Sequence, residues 1–307
     1  MTDAVGDAVG INDSGERMIP ALHRPSLLYA EHWTRYLVAA EIVLGKRVLD
    51  IASGSGYGSS LLAESAASVV GVDVSEEAVA YATATYGTPN LEFRHGDAQS
   101  IPLADDSVDV VVTFETIEHV ADYHRFVMEI DRVLAPGGIA LVSTPNDLEF
   151  VEGNHFHLHE FVYDELLELL APHFAHITPY FQATWQAVAV GTEQDLGTEG
   201  VVQAEIHNLA PLERDQFLYF YLVCSREPSS ATVPTVVALG GHHSDRANQV
   251  KDQEALRLIE DLSAIVESTQ RDLAATRRDL EAVTSTKSYA LAKRLSAVAG
   301  RLRPSRD

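Results

Sequence analysis

Two short stretches of the chain concentrate carboxylate and imidazole side chains. The first runs from Glu115 to His119 as Glu-Thr-Ile-Glu-His, and the second places His155, His157 and His159 at alternating positions. Two carboxylates with two imidazoles form a ligand set that suits Mg²⁺, Mn²⁺, Fe²⁺, Co²⁺ or Zn²⁺. Together the two stretches predict a divalent metal site whose open coordination positions could accept substrate oxygens.

The expected local structure brings the members of each stretch together. If a helix begins near Glu115, then Glu115, Glu118 and His119 share one face, because positions i, i+3 and i+4 are neighbours on a helix. Alternate positions of an extended segment also lie on one side, which groups residues 155–159. A structural role stays open as well, since acids complement the dipole at a helix N-terminus while His119 caps or packs.

A glycine-rich turn lies upstream of these stretches. Residues 48–52 predict a short buried strand, Gly54, Gly56 and Gly58 follow it, and residues 59–65 predict a helix. Such a turn gathers backbone N–H groups and a positive helix end at one point, where a polar or anionic ligand binds. The spacing is Gly-x-Gly-x-Gly, which differs from the Gly-x-Gly-x-x-Gly of dinucleotide sites.

Apolar strands then alternate with helical segments along the chain. A second strand ends in Asp73, about twenty residues past the glycines, where a doubly wound fold places an acid that holds a ribose diol. A third strand precedes Asp97, a fourth ends at Phe114, and a fifth covers residues 138–144. This alternation predicts a parallel sheet with helices on both faces.

These residues resemble the class I S-adenosylmethionine-dependent methyltransferases over residues 46–144, and more loosely as far as residue 225. The resemblance implies an α/β Rossmann-like sheet of seven strands, mostly parallel with one antiparallel strand, in which residues 177–190 and 217–225 form the closing pair. It also implies S-adenosyl-L-methionine as cofactor. The residues expected to bind it are Asp50, Ala52, Gly54, Ser55, Gly56, Asp73, Val74, Asp97, Ala98 and Phe114.

The Glu-x-x-Glu-His stretch resembles the metal-binding motif of quinone-biosynthesis O-methyltransferases and small-RNA 2′-O-methyltransferases. In the latter, a further histidine lies three residues before a Glu-aromatic pair, an offset that falls on His157 here. The resemblance implies Glu115, Glu118, His119 and His157 as ligands of a metal such as Mg²⁺ or Mn²⁺. His155 and His159 are the alternates.

The predicted chemistry is transfer of a methyl group from a sulfonium to a hydroxyl oxygen. A metal that holds two adjacent hydroxyls orients them and lowers their pKa, while a nearby imidazole, His155 or His159, accepts the proton. If no metal binds, His119 or His157 becomes the general base, and Glu118 orients it.

Vicinal diols suit a two-point metal clamp, so a sugar, a ribose terminus or a catechol is the expected acceptor class. Residues 15–20 (Gly-Glu-Arg-Met-Ile-Pro) and 154–161 resemble segments of methyltransferases from surface-polysaccharide and glycoside pathways, and residues 285–295 resemble tails of polysaccharide-assembly enzymes. The leading hypothesis is a sugar O-methyltransferase acting on a glycan or a glycosylated small molecule. The alternatives are a quinone or catechol O-methyltransferase, and a non-catalytic coiled-coil scaffold that keeps the fold.

Charge and composition limit the partners. The net charge of the chain is −23. Residues 284–307 have a net charge of +5, so the rest of the chain has a net charge of −28. This negative charge repels the phosphate backbone of nucleic acids and argues against a nucleic-acid partner.

The sequence also bears on the cellular location. Cys224 is the only cysteine. No apolar run approaches the ~20 residues that are needed to span a membrane. With no signal-peptide pattern at the N-terminus, a cytoplasmic location is expected.

Four regions are predicted: a disordered N-terminus (1–14), a methyltransferase domain (15–225), a linker (226–250) with one short strand at residues 235–239, and a coiled-coil helix with a basic tail (251–307). Apolar positions with 3-4 spacing predict self-association into a homo-oligomer, although one amphipathic helix folded onto the domain is the alternative. These positions are Ile259, Leu262, Val266, Thr269, Leu273, Thr276, Leu280 and Val283. The basic tail is expected either to contact an anionic membrane at its inner face or to be a solvated helix. No role is assigned to residues 191–215.

Overall fold

The structure is a computed structural model that describes residues 10–11, 17–24, 26–147, 156–184, 189–209, 211–238, 282, 284 and 287–301. The chain divides into two compact units, Met1–Gly240 and Gly241–Asp307. The predicted N-terminal disorder and nearly all of the predicted coiled-coil seam lie outside the described residues. So does His155.

The first unit alternates strands and helices. Its helices are α1 (Pro20–His23), α2 (Leu27–Ile42), α3 (Tyr57–Ala63), α4 (Glu76–Tyr86), α5 (Tyr123–Val133), α6 (Tyr163–Leu170) and α7 (Glu193–Gly197). Its strands are β1 (Arg47–Ile51), β2 (Ser68–Asp73), β3 (Leu91–His95), β4 (Val108–Phe114), β5 (Leu134–Pro145), β6 (His176–Gln182) and β7 (Tyr219–Ser225). Two 3-10 turns, Ile117–His119 and Arg214–Gln216, complete it.

The strands form one seven-stranded sheet in the order β3-β2-β1-β4-β5-β7-β6. Strand β7 runs antiparallel to both β5 and β6, and the remaining neighbours are parallel. The predicted mostly parallel sheet with a single antiparallel strand is therefore confirmed.

Local sequence signals explain where the helices begin. The side chain of Ser26 accepts the N–H of Tyr29 at the start of α2, and Ser75 accepts that of Ala78 at the start of α4. Asp122 caps α5 in the same way. Each cap satisfies one of the N–H groups that a helix start leaves unpaired.

Helices cover both faces of the sheet. One buried cluster packs α5 and α6 against it through Phe126, Ile130 and Leu166. The other packs α2 and α3 against the opposite face through Tyr36, Ala39 and Leu62. This arrangement places the carboxyl ends of β1 and β4 side by side where the strand order reverses, the point at which such sheets bind ligands.

Two local expectations were wrong. Glu115 does not begin a helix: its φ is +52°, and only the short 3-10 turn Ile117–His119 follows. Within the linker, residues 235–238 were expected to start a short strand, but residues 228–238 have no regular secondary structure.

The second unit is described only at its C-terminal end. Residues Lys287–Arg301 form helix α8, in which Leu291 and Leu295 are largely exposed. Across all described residues, no helix combines the length and apolar character needed to cross a membrane.

Candidate active site

The glycine-rich turn after β1 has three residues in the left-handed region. Ala52, Gly54 and Gly56 have φ values of +61°, +58° and +85°. A Cβ atom built on Gly56 would lie 2.6 Å from the Cβ of Ala82 and 2.8 Å from the ring of Phe93. Glycine is therefore required at position 56 by both backbone geometry and space, whereas Ala52 adopts a conformation that is unfavourable for an L residue.

Asp50 lies beneath the turn and is fully buried. Its carboxylate accepts hydrogen bonds from the Ser59 hydroxyl at 2.6 Å and from the Tyr36 hydroxyl at 3.2 Å. Burial raises its pKa to about 7, although these two hydrogen bonds act in the opposite direction. Asp50 was expected to bind the cofactor, which stays a prediction; its contacts among the described residues join β1 to α2 and α3.

The acid that ends β2 supports the turn directly. Asp73 accepts the N–H of Gly54 at 2.8 Å and that of Ser75 at 2.9 Å, one on each carboxylate oxygen. Each oxygen retains a lone pair, so the side chain can still accept hydrogen bonds from a ligand diol.

The remaining predicted cofactor residues are more dispersed. Asp97 is exposed and accepts the N–H of Gln99, and Val74 is also exposed. Ala98 is half-buried, and the ring of Phe114 packs edge-on against Tyr36 inside the core. Asp97 and Val74 thus lie at the surface, whereas the Phe114 side chain does not.

An N-terminal segment packs against the glycine-rich turn. The hydroxyl of Ser55 donates to the carbonyl of Met18 at 2.7 Å, and both Met18 and Ile19 are buried. A Cβ on Gly54 would meet the side chain of Arg17 at 3.6 Å. Sequence patterns gave no sign of this contact between segments far apart in the chain.

Three of the four predicted metal ligands form a cluster at the carboxyl end of β4. One candidate ligand atom from each of Glu118, His119 and His157 lies within 4.8 Å of the other two. Nε2 of His119 is 4.0 Å from Oε1 of Glu118. The rings of His119 and His157 meet edge-to-face with centroids 4.9 Å apart.

Hydrogen bonds around the cluster orient both imidazoles. Nδ1 of His119 lies 3.1 Å from the carbonyl of Phe156, and Nδ1 of His157 lies 3.0 Å from Oε1 of Glu160. Both acceptors are oxygen atoms, so each Nδ1 donates its proton; in the neutral ring of this tautomer, the lone pair lies on Nε2. Such support by a carbonyl or carboxylate is typical of metal-ligating histidines.

The histidine segment is also tied to the 3-10 turn through the backbone. The N–H groups of Leu158 and His159 both reach the carbonyl of Glu118, at 2.7 and 3.2 Å. These bonds hold His157 beside Glu118 although nearly forty residues separate them in the chain.

Glu118 is buried, with 1% of its surface exposed. Its Oε2 accepts the hydroxyl of Thr144 at 2.9 Å, whereas its Oε1 has no hydrogen-bond partner among the described residues. Burial, with the charge of Glu115 adding to it, raises the pKa of Glu118 well above its ordinary value. A buried carboxylate oxygen without a donor, facing imidazoles, fits a site for a cation.

Glu115, the fourth predicted ligand, is not a member of this cluster. Its Oε1 accepts the hydroxyl of Ser143 at 2.8 Å and lies 4.0 Å from Nη2 of Arg35. The expected helical face that would group it with Glu118 and His119 does not form, because the left-handed residue ends β4 first.

His159, predicted as an alternate ligand or base, lies apart from the cluster. Its Nε2 is 2.8 Å from Oε1 of Glu165, and its ring packs against Tyr123 and Phe161. The described residues thus assign the central positions to His119 and His157.

Sequence reasoning missed a buried arginine beside the site. Arg35 is 2% exposed, donates to Oε1 of Gln182 at 2.8 Å and lies over the ring of Tyr219 at 4.8 Å. Its Nε and Nη2 make no hydrogen bond to any described residue. An arginine in an otherwise apolar helical pattern is the one sequence signal that could have identified it.

The family comparison agrees with this geometry. Residues 49–142 match the family model described as a methyltransferase domain. This part of the chain, about a third of its length, is thus similar to a methyltransferase domain. The match spans the glycine-rich turn, Asp73, Asp97 and the Glu-x-x-Glu-His stretch, and it agrees with the predicted class I S-adenosylmethionine-dependent methyltransferase fold.

Two similar proteins are also named as methyltransferases. A Mycolicibacterium smegmatis protein named as a probable S-adenosylmethionine-dependent methyltransferase is 44% identical over 162 residues, which cover 51% of this chain and 62% of that protein. A phthiotriol/phenolphthiotriol dimycocerosates methyltransferase of Mycobacterium ulcerans is 37% identical over 101 residues, 32% of this chain and 37% of the relative. The chain thus spans less than two thirds of these relatives.

A chain from the solved complex between the Haloferax volcanii Trm112 methyltransferase activator and a methyltransferase superposes with a TM-score of 0.50. The alignment covers 68% of this chain and 96% of the other at 24% identity. A likeness at this level of identity supports the fold alone.

Proposed function

We propose that this protein transfers a methyl group from S-adenosyl-L-methionine to a hydroxyl of a sugar-containing acceptor, a glycan or a glycosylated metabolite, with help from a divalent cation. The carrying observation is the cluster of Glu118, His119 and His157 beside the glycine-rich turn. Cofactor turn and cluster lie at the carboxyl ends of adjacent strands, which suits in-line transfer between two bound molecules.

The donor set fits a cation such as Mg²⁺ or Mn²⁺. Glu118 offers Oε1, the one buried carboxylate oxygen of the cluster that lacks a donor, and His119 and His157 offer Nε2. A cation bound there would supply Lewis acidity to the acceptor hydroxyl.

The chain's own residues orient the acceptor site and handle the proton. The acceptor oxygen forms the new C–O bond as the S–CH₃ bond breaks, and the hydroxyl proton must leave. If no cation binds, Phe156 and Glu160 hold His119 and His157 in tautomers whose Nε2 can accept that proton; with a cation on these nitrogens, the proton would pass to His155 or His159 instead. In the absence of a cation, Glu118, whose Oε1 lies 4.0 Å from Nε2 of His119, would orient that imidazole.

A lipid alcohol is the second acceptor class. The relative from Mycobacterium ulcerans is named for phthiotriol and phenolphthiotriol dimycocerosates, which are lipids. In this chain, Val190, Val201 and Leu209 of residues 189–209 are almost fully exposed, and exposed apolar segments of this kind often contact other molecules. This supports a role for residues 189–209 in holding an apolar acceptor. A catechol or quinone acceptor remains the third option.

The test is an acceptor panel with isotope-labelled S-adenosyl-L-methionine. Nucleotide sugars, glycans, lipid-linked alcohols and catechols are each incubated with the full chain, with added Mg²⁺ or Mn²⁺ and with chelator. Label in a sugar fraction that falls on chelation supports the proposal. Label confined to lipid alcohols or catechols would replace the acceptor class, and transfer unaffected by chelator would remove the metal.

We also propose a homo-oligomer formed through residues 251–307, a cytoplasmic location with membrane contact through the basic tail, and no nucleic-acid partner. The support is the 3-4 apolar spacing, the basic residues of α8 and the acidic remainder of the chain.

A further inference from the structure

Glu115, the residue that follows β4, has an unusual backbone conformation. Its φ of +52° is one of the few positive values at a non-glycine residue, and Ala52 at the end of the adjacent β1 has another. The N–H of Glu115 donates to the carbonyl of Ser143 at 3.0 Å. Residues held in such conformations concentrate where a site fixes their geometry.

Position along the sheet places Glu115 opposite the glycine-rich turn. Strands β1 and β4 pair in parallel up to Asp50 and Val112, so Glu115 and Ser53 each follow three residues later at the same edge. This edge is the point where the strand order reverses, and it receives the cofactor in folds of this topology.

The Glu115 carboxylate is anchored on one side only. Oε1 accepts from Ser143 and faces Arg35, whereas Oε2 has no hydrogen-bond partner among the described residues. The side chain is 16% exposed, so Oε2 can be reached by a ligand.

Arg35 supplies a fixed positive charge behind this carboxylate. At 4.0 Å its Nη2 is too far from Oε1 for a hydrogen bond, and Gln182 and Tyr219 hold the guanidinium in place. Arg35 thus places a positive charge beside Glu115 without occupying the open oxygen.

We propose that Glu115 belongs to the cofactor site, where Oε2 receives the α-ammonium group of the methionine part of S-adenosyl-L-methionine, and that Ser143 and Arg35 position it. The inference rests on the proposed use of this cofactor. It removes Glu115 from the predicted metal ligands and leaves Glu118, His119 and His157.

The test compares three ligands by isothermal titration calorimetry on the full chain. S-adenosylmethionine and S-adenosylhomocysteine carry the ammonium group, whereas 5′-methylthioadenosine lacks the whole amino-acid part. In Glu115→Gln, affinity for the first two should fall about tenfold or more, since a charge-assisted hydrogen bond is lost. Affinity for 5′-methylthioadenosine should stay within about twofold of the wild type.

Two neighbouring residues of β5 give a matched pair of milder variants. Ser143→Ala removes the hydrogen bond to Glu115 and should weaken both ammonium-bearing ligands about threefold. Thr144→Val removes the hydrogen bond to Glu118 and should leave all three affinities unchanged. Both substitutions make only a small change to the side chain. They therefore test the inference even if Glu115→Gln does not fold.

If Glu115→Gln and Ser143→Ala both bound S-adenosylmethionine with wild-type affinity, the inference would be overturned, whereas the proposed function would not be affected. An equal loss for 5′-methylthioadenosine would overturn the inference too, because the effect would then be structural. A wild-type chain that binds neither S-adenosylmethionine nor S-adenosylhomocysteine would overturn the proposed function as well.

Discussion

Replacing Asp50 by Asn should change how the stability of this protein depends on pH. Asp50 is fully buried, and the folded state raises its pKa from 3.8 to about 7. The folded chain therefore keeps a proton that the unfolded chain releases. The stabilisation that results is complete below the unfolded pKa and is lost as the pH rises through the folded value.

The size of the effect follows from the shift. Each pKa unit corresponds to about 1.4 kcal/mol, so the full shift of Asp50 is worth about 4 kcal/mol. Roughly 2–3 kcal/mol of this stabilisation is lost as the pH rises from 5 to 8. Asn cannot ionise, so the free energy of unfolding of Asp50→Asn, measured relative to the wild type, should increase by that amount over this interval.

Urea unfolding at several pH values measures this difference. Asp109→Asn is the matched control, because Asp109 also lies on a central strand, but its pKa is lowered, chiefly by hydrogen bonding to Arg47. Above pH 5, Asp109 is ionised in both the folded and the unfolded chain. The difference in unfolding free energy between Asp109→Asn and the wild type should therefore not change with pH. A flat curve for Asp50→Asn would refute the argument that burial keeps this acid protonated.

Three further predictions concern the turn, the cluster and the C-terminal region. Glu118→Gln or His157→Ala should reduce methyl transfer about a hundredfold or more while the calorimetric affinity for S-adenosylmethionine stays near wild type; full activity of both variants in chelator would count against the metal. Ala52→Gly should raise stability to urea by about 0.5–1 kcal/mol, because glycine relieves the left-handed backbone, and a lower midpoint would contradict this. Truncation after Gly240 should give a folded domain of smaller oligomeric mass by light scattering, and an unchanged mass would exclude the coiled coil.

Much of the fold could be predicted because its signals are local. The glycine spacing after β1, the acid that ends β2 and the alternation of apolar strands with helices identified the sheet and its order of elements. The caps Ser26 and Ser75 follow the same local rules. Helix-period reasoning failed at Glu115, since a single left-handed residue cannot be recognised from side-chain pattern.

The candidate site was only partly predictable, because its contacts join distant segments. His157 was expected beside Glu118, and the backbone bonds from Leu158 and His159 to Glu118 place it there. The roles of Glu160 and Phe156 in orienting the imidazoles depend on loop geometry that residue types do not encode.

The sequence by itself determined the mostly parallel sheet and the glycine-rich turn after its first strand, because both depend on residues adjacent in the chain. Only the tertiary structure decided that Glu115 and Glu118, three residues apart, face different surroundings. Glu118 meets Thr144 and the histidines, whereas Glu115 meets Ser143 and Arg35. The physical reason is that a carboxylate's environment is set by the groups packed around it, and here those groups come from β5, α2 and the loop before α6.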